Sequence, residues 1–169
     1  MISRTKPDLA LRPMLPVDVP DLAEIFRASI EELTADDYSE TQQRAWASAA
    51  DDEEEFGQKL TGELTLVVTY GGAAIGFAGL ADNKKIDMLY VHPAAARHGA
   101  GAMLIDALEK LAAARGAKEL EVEASDTARG FFEKRGFTAR TRNTVTLAGE
   151  WLANTTMVKP LAAKERSAS

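Results

Sequence analysis

The sequence predicts a mixed α/β fold, an α+β arrangement in which a mostly antiparallel central sheet carries helices on its faces. Three observations point there. Residues 64–91 contain three apolar-alternating runs broken by turn residues, the pattern of an antiparallel meander. Amphipathic helical periodicity stands before that meander and returns after it, over residues 99–115. Strand and helix patterns then alternate to residue 158, adding strand-helix-strand units to the same sheet. A length of 169 residues fits one domain. That domain is placed at 9–160, between flexible tails at 1–8 and 161–169.

Leu9 to Pro13 alternate as a first strand. Asp18 is placed to cap a helix whose stripe is Val19, Leu22, Ala23, Ile25, Phe26 and Ile30, with Pro20 in its first turn. A second helix is expected from about Ser39 to Ala50. The acidic run Asp51 to Glu55 suits the first turn of a third, where the helix dipole favours negative charge. Leu64, Leu66, Val68 and Tyr70 alternate along a strand. Gly71-Gly72 supplies the two positive φ angles of a type I′ turn, and Ala73 to Leu80 returns. Lys84 to Val91 is the third run, with Ile86, Met88 and Tyr90 expected on one face and Asp87, Leu89 and Val91 on the other; Pro93 closes it. Leu104, Leu108 and Leu111 mark the next helix, with Gly116 as its C-cap. Glu119 to Glu123 is a strand, and Ser125-Asp126-Thr127 caps a helix through Phe131 and Phe132 to Gly136. Phe137 to Arg142, Val145 to Leu147 and Asn154 to Val158 are the closing strands.

Composition removes several classes of function. Apolar residues at 46% and charged residues at 27% describe a chain with a packed core rather than a disordered one. Acidic residues number 26 against 20 basic, a net charge of −6, which argues against nucleic acid as a partner. The absence of cysteine removes disulfides, thiolate nucleophiles and Cys-ligated zinc. Two histidines leave no metal-ligand spacing, so no metal is expected. Nothing approaches a signal-peptide core or the roughly 18 apolar residues of a membrane helix, so the expected setting is the cytoplasm, away from membranes. No Gly-x-Ser-x-Gly elbow is present.

The segment that carries chemistry runs from Val91 to Ala102. A strand ends, a loop follows, and a helix starts on Gly99-Ala100-Gly101. Helix N-termini present unpaired N–H groups to phosphates, and glycines let an anion approach the backbone. Arg97 and His98 add charge and donors. A Rossmann-type site is the competing reading, because Glu121 and Glu123 follow Gly101 by about 20 residues. Against it stand Leu104 in place of a third glycine, the long Pro93 to His98 loop and the antiparallel meander.

Leu89-Tyr90-Val91-His92-Pro93, Arg97-His98-Gly99-Ala100-Gly101 and Ala128-Arg129-Gly130-Phe131-Phe132-Glu133-Lys134-Arg135-Gly136-Phe137, in this order, resemble the GCN5-related N-acetyltransferase (GNAT) superfamily. The resemblance spans roughly residues 9–160, and Asn154 to Lys159 resembles a bacterial YafP-like subgroup. It implies acetyl-CoA as donor and a cleft opened where the fourth and fifth strands splay apart. It maps the pyrophosphate loop onto Arg97, His98, Gly99, Ala100, Gly101 and Ala102. Leu89, Tyr90 and Val91 become the strand that pairs with pantetheine; Ala124, Ser125, Ala128, Phe131 and Phe132 become the facing wall. The chain departs from the family twice. Ala96 stands where an Arg or Gln usually heads the glycine motif, and Phe132 stands where many members place a tyrosine acid.

The implied activity is direct acetyl transfer to a primary amine of a small molecule or peptide, by a monomer or homodimer. A non-catalytic acyl-CoA-binding or sensor domain on the same fold is the alternative. Transfer needs a base, for which Asp87 and Glu123 are the candidates. It needs an oxyanion donor, for which the backbone N–H of Leu89 or Tyr90 serves. Thiolate departure is easy at a thiol pKa of about 8.5, and Phe132 offers no acid. His92 is expected to order a turn, and Trp46 and Trp151 to sit in the core or, alternatively, to line an acceptor pocket.

Overall fold

The computed structural model describes residues 9–161 apart from Arg97. Its elements in order are β1 (Leu9–Pro13), α1 (Val19–Leu33), α2 (Glu40–Ala47), α3 (Glu53–Thr61), β2 (Leu64–Tyr70), β3 (Ala73–Ala81), β4 (Lys85–Val91), α4 (Ala100–Ala114), β5 (Glu119–Ser125), α5 (Arg129–Lys134), β6 (Thr138–Leu147) and β7 (Glu150–Pro160). The strands form one seven-stranded sheet in the order β1-β2-β3-β4-β5-β7-β6. Every neighbouring pair is antiparallel except β4 with β5. That topology is not the parallel doubly wound sheet of a Rossmann fold. The expected tails at 1–8 and 162–169 lie outside the described residues, but Leu161, assigned to a tail, donates its N–H to Lys118 O at 2.8 Å.

Local chemistry explains most boundaries. Gly71 and Gly72 take φ of 59° and 89°, as the hairpin between β2 and β3 requires. Ser39 opens α2 with a capping box: its Oγ accepts from Gln42 N at 3.2 Å, and Gln42 Oε1 accepts from Ser39 N at 2.8 Å. The second helix ends earlier than its periodicity implied, as Ser48–Ala50 tighten into a 3-10 turn. Asp52 caps α3 by accepting from Glu55 N at 3.1 Å, with three glutamates in the first turn.

Three expectations need correction. Asp18 does not cap α1 through its side chain. Its carboxylate turns back to accept from Leu15 N at 2.7 Å and from both Arg12 nitrogens at 2.7 and 2.8 Å, ion pairing that outbids a cap. The separate runs at 137–142 and 145–147 are one strand, β6, and β7 begins at Glu150; the Ala148-Gly149 turn, with φ of 44° and 84°, makes a hairpin of them. On β4 the alternation breaks. Gly79 pairs with Met88 but Leu80 pairs with Ile86, so Asp87 is the extra residue of a β-bulge. Ile86 therefore joins Leu89 and Val91 on one face, and Met88 joins Tyr90 on the other.

Helices cover both faces. On one, Leu104, Ile105 and Leu108 of α4 pack with Val68, Ile86, Leu120, Phe132 and Met157. On the other, Leu22, Phe26 and Ile30 of α1 and Phe56 and Leu60 of α3 pack on Val67, Phe77 and Met88. No described helix is long and apolar enough to cross a membrane.

Candidate active site

The parallel pair β4–β5 is joined only at Lys85↔Glu121 and Ile86↔Val122. Beyond those residues β4 keeps to β3 as far as Val91, and β5 keeps to β7 as far as Ser125. The sheet thus opens into a wedge at its centre, the splay that the resemblance implied. His92 N donates to Ile75 O at 2.8 Å, so antiparallel alternation makes Tyr90 with Phe77, and Met88 with Gly79, the hydrogen-bonded pairs. The N–H groups of Leu89 and Val91 face the gap. Of the two expected oxyanion donors, the register selects Leu89; the Tyr90 N–H is turned toward β3.

The N-terminus of α4 closes the wide end of the wedge. Gly99 sits at φ +87°, and the first intrahelical bond runs from Met103 N to Gly99 O at 3.0 Å. The N–H groups of Ala100, Gly101 and Ala102 precede it and have no helical acceptor. A Cβ at Gly101 would meet the Phe131 ring at an ordinary contact distance of 3.4 Å, so a side chain there is tolerated by α5.

A cavity of about 470 Å³ fills the wedge. Asp87, Leu89, Tyr90 and Val91 line it from β4, Gly99 to Ala102 from α4, and Glu123 and Ser125 from β5. Ala128, Phe131 and Phe132 line it from the α5 side. Two expected residues among those described do not line it. Ala124 is 1% exposed on the opposite face of β5, within the core under α4. His98 is exposed outside the cavity lining. Arg97 lies outside the described residues. Phe132 touches the cavity but is only 2% exposed, edge-on to Phe131 and Phe137 at 5.3 and 5.2 Å. It is a core ring with one side on the cleft, not the freely facing residue expected.

Sequence reasoning missed several contributors. Arg135 lines the cavity with its guanidinium 5.2 Å above the Phe131 ring, a cation on the α4–α5 side where Ala96 supplies none. Ser29, Ile30, Leu33 and Thr34 of α1 roof the cavity. A smaller recess of about 120 Å³ adjoins it, between Tyr38, Trp46, Tyr90 and the β6–β7 hairpin, with Asp87 and Glu123 shared between the two. Trp46 is partly buried and donates Nε1–H to Tyr90 Oη at 3.2 Å. Tyr38 Oη donates to Ala153 O at 2.7 Å and accepts from Asp126 N at 2.9 Å. Trp151, expected in the core, is 65% exposed because its position on β7 turns outward. His92 does order its turn, accepting from Ala94 N at 3.1 Å.

Charge is concentrated where β4 bulges. Asp87 Oδ2 lies 3.3 Å from Lys59 Nζ, and Glu123 Oε1 accepts from Lys85 Nζ at 2.9 Å. Burial raises the Tyr90 phenol, which therefore keeps its proton. Glu63, in the turn before β2, is pushed up to about 7, first by burial and then by the neighbouring Asp87 carboxyl. Among the described residues no group of three His, Cys, Asp or Glu side chains is placed to hold a metal ion.

A splayed central strand pair facing a glycine-opened helix end is the architecture that the resemblance to the acetyltransferases implied. The chain belongs to the acetyltransferase (GNAT) domain family, whose profile matches residues 34–161. It is 31% identical over 147 residues to the uncharacterized N-acetyltransferase YafP of Escherichia coli K12, covering 87% of this chain and 93% of that one. Among solved structures it is similar to a GCN5-related N-acetyltransferase, also described as an aminotransferase, class-II, from Rhodopseudomonas palustris: 59% identity, TM-score 0.89, covering 95% of this chain and 99% of that one. The PaiA N-acetyltransferase of Thermoplasma acidophilum, solved with coenzyme A, shares the fold at 21% identity and TM-score 0.75, covering 90% and 99%.

Proposed function

We propose that this protein transfers an acetyl group directly from acetyl-CoA to a primary amine. The observation that carries the reading is the wedge itself: the free N–H groups of Leu89 and Val91 on one side and the unpaired amides of Ala100 to Ala102 at its wide end. The amide-bearing pantetheine arm suits the strand edge. The pyrophosphate suits the helix end, where Gly99 and Gly101 keep the approach open and Arg135 adds a positive charge. Acetyl-CoA supplies the activated acetyl group.

The chain's own residues do the rest. The Leu89 N–H meets the carbonyl oxygen as negative charge develops there, in a cleft roofed by α1. Asp87, directly or through a water, takes the proton of the attacking nitrogen. As the N–C bond forms and the C–S bond breaks, the electron pair leaves on sulfur. No acid is supplied for that departure: Phe132 has no proton to give, and burial makes the Tyr90 phenol a weaker acid than usual. Glu123 is hydrogen-bonded by Lys85 at 2.9 Å, whereas Lys59 stands 3.3 Å from Asp87 Oδ2 without a hydrogen bond, which favours Asp87 as the base. The smaller recess, with Trp46, Tyr38 and two carboxylates, suits a cationic amine on a compact apolar body.

The test is release of CoA from acetyl-CoA over a panel of amines. Gly101→Asp puts a negative charge at the helix end, so acetyl-CoA affinity collapses while the fold survives. Unchanged affinity in that variant moves the donor site elsewhere. Donor binding without CoA release from any amine favours the sensor reading.

A further inference from the structure

Glu63 stands between α3 and β2, outside the cavity lining. Its side chain runs across β3 at Gly79, where a Cβ would lie 2.6 Å from Glu63 Oε1. A Cβ there would force the Glu63 carboxyl to move from this place. The carboxyl reaches Asp87, the extra residue of the β4 bulge. Glu63 Oε1 and Asp87 Oδ2 are both buried without a hydrogen-bond partner. Lys59 Nζ, 3.3 Å from Asp87 Oδ2, makes an ion-pair contact without hydrogen-bond geometry. Two adjacent carboxylates shielded from water cannot both carry charge cheaply. One proton between them supplies the donor that both oxygens lack.

We propose that Glu63 and Asp87 hold one proton between them, and that Glu63 thereby acts as the positioning residue that sets the basicity of Asp87 toward the acceptor. The inference rests on the transfer reading above and adds to it. Asp87 lines the cavity and Glu63 does not, so Asp87 meets the incoming group while Glu63 stands behind it. The balance is simple. With both carboxyls ionised, Asp87 removes one proton from the ammonium, freeing the nitrogen lone pair for attack. That proton then rests on the pair and returns to solvent after the product leaves; the second nitrogen proton, lost as the adduct collapses, goes with the departing sulfur. The surrounding charges are Lys59, which opposes protonation of Glu63, and Asp82, which favours it; Lys85 and Tyr90 face Asp87. Glu63 at about 7 puts this exchange in the range where an amine must be deprotonated.

Two readouts on the full chain test it. The first is carboxyl-carbon NMR over pH. One carboxyl of the pair should titrate near neutrality in the wild type, and that transition should vanish in Glu63→Gln, which keeps the shape and offers Asp87 a permanent donor. The second is the pH profile of kcat/KM for the amine. Glu63→Gln should lose the ascending limb near pH 7 and fall about tenfold or more at pH 8, within the range of one acid–base group, with acetyl-CoA affinity unchanged. Gly79→Ala, whose Cβ pushes the Glu63 carboxyl aside while leaving both carboxyl groups chemically intact, should shift the profile the same way. Titration of both carboxyls below pH 5, or a Glu63→Gln profile identical to the wild type, overturns the proposal. A wild type that releases no CoA with any amine counts against the transfer reading alone, and the NMR titration then decides the shared proton.

Discussion

At the scale of single residues, buried Asp18 and half-buried Glu63 are shifted in opposite directions. Asp18 is lowered, first by its hydrogen bonds from Arg12. Its stabilising contribution is complete above the usual carboxylate value near 3.8 and is lost as pH falls. Asp18→Ala should cost about 2–3 kcal/mol in denaturant unfolding at pH 7, since it orphans a charge-assisted pair. Glu63 is raised from 4.5 to about 7. Between those values the folded state binds the extra proton, so stability falls as pH rises through that window and levels off above it. Glu63→Gln should flatten that decline; an unchanged slope in thermal melts at pH 5 and pH 8 refutes the assignment. Asp87 was readable from sequence, a carboxylate on a strand next to a glycine-opened helix. Glu63 was not, because its partner is brought to it by a bulge and by a glycine on a third strand, and neither leaves a periodic trace.

At the scale of elements, legibility followed periodicity. The meander, α4 and its Gly116 cap rest on repeating apolar positions and on glycine turns, and they stand as read. The faces of β4 were misread because a bulge moves alternation by one residue while leaving composition unchanged. The β6–β7 hairpin was broken in two because β6 is largely exposed and so carries little apolar pattern. That hairpin is tied to the rest by Tyr38, whose hydroxyl joins Ala153 O of β7 to Asp126 N at the end of β5. Burial also raises this phenol, so it remains a donor. Tyr38→Phe should cost about 1–3 kcal/mol, because it leaves a buried carbonyl and N–H unpaired. It should raise KM for the amine more than for acetyl-CoA, since Tyr38 borders the smaller recess and not the strand edge. Equal changes in both constants would mean that the hairpin supports the whole cleft.

At the scale of the whole molecule, the cleft is where two cores fail to meet. One core lies under α4 and α5, the other under α1 and α3, and the sheet between them is continuous except where β4 and β5 part. A ligand in that wedge touches elements from both sides: β4, α4 and α5, and the α1 roof. Binding therefore stabilises the native state as a unit. A donor at 100 times its Kd adds about 2.7 kcal/mol, which for a chain of 169 residues raises Tm by about 5–10 °C. Acetyl-CoA and CoA should both give this shift in a thermal melt, because pantetheine and pyrophosphate make the contacts and the acetyl group adds few. NAD should give none, since the sheet offers no parallel switch point for a dinucleotide. Gly101→Asp should abolish the shift with CoA while its own ligand-free Tm stays close to that of the wild type. A Tm that rises with NAD and stays flat with CoA would place the helix end of α4 in a different chemistry.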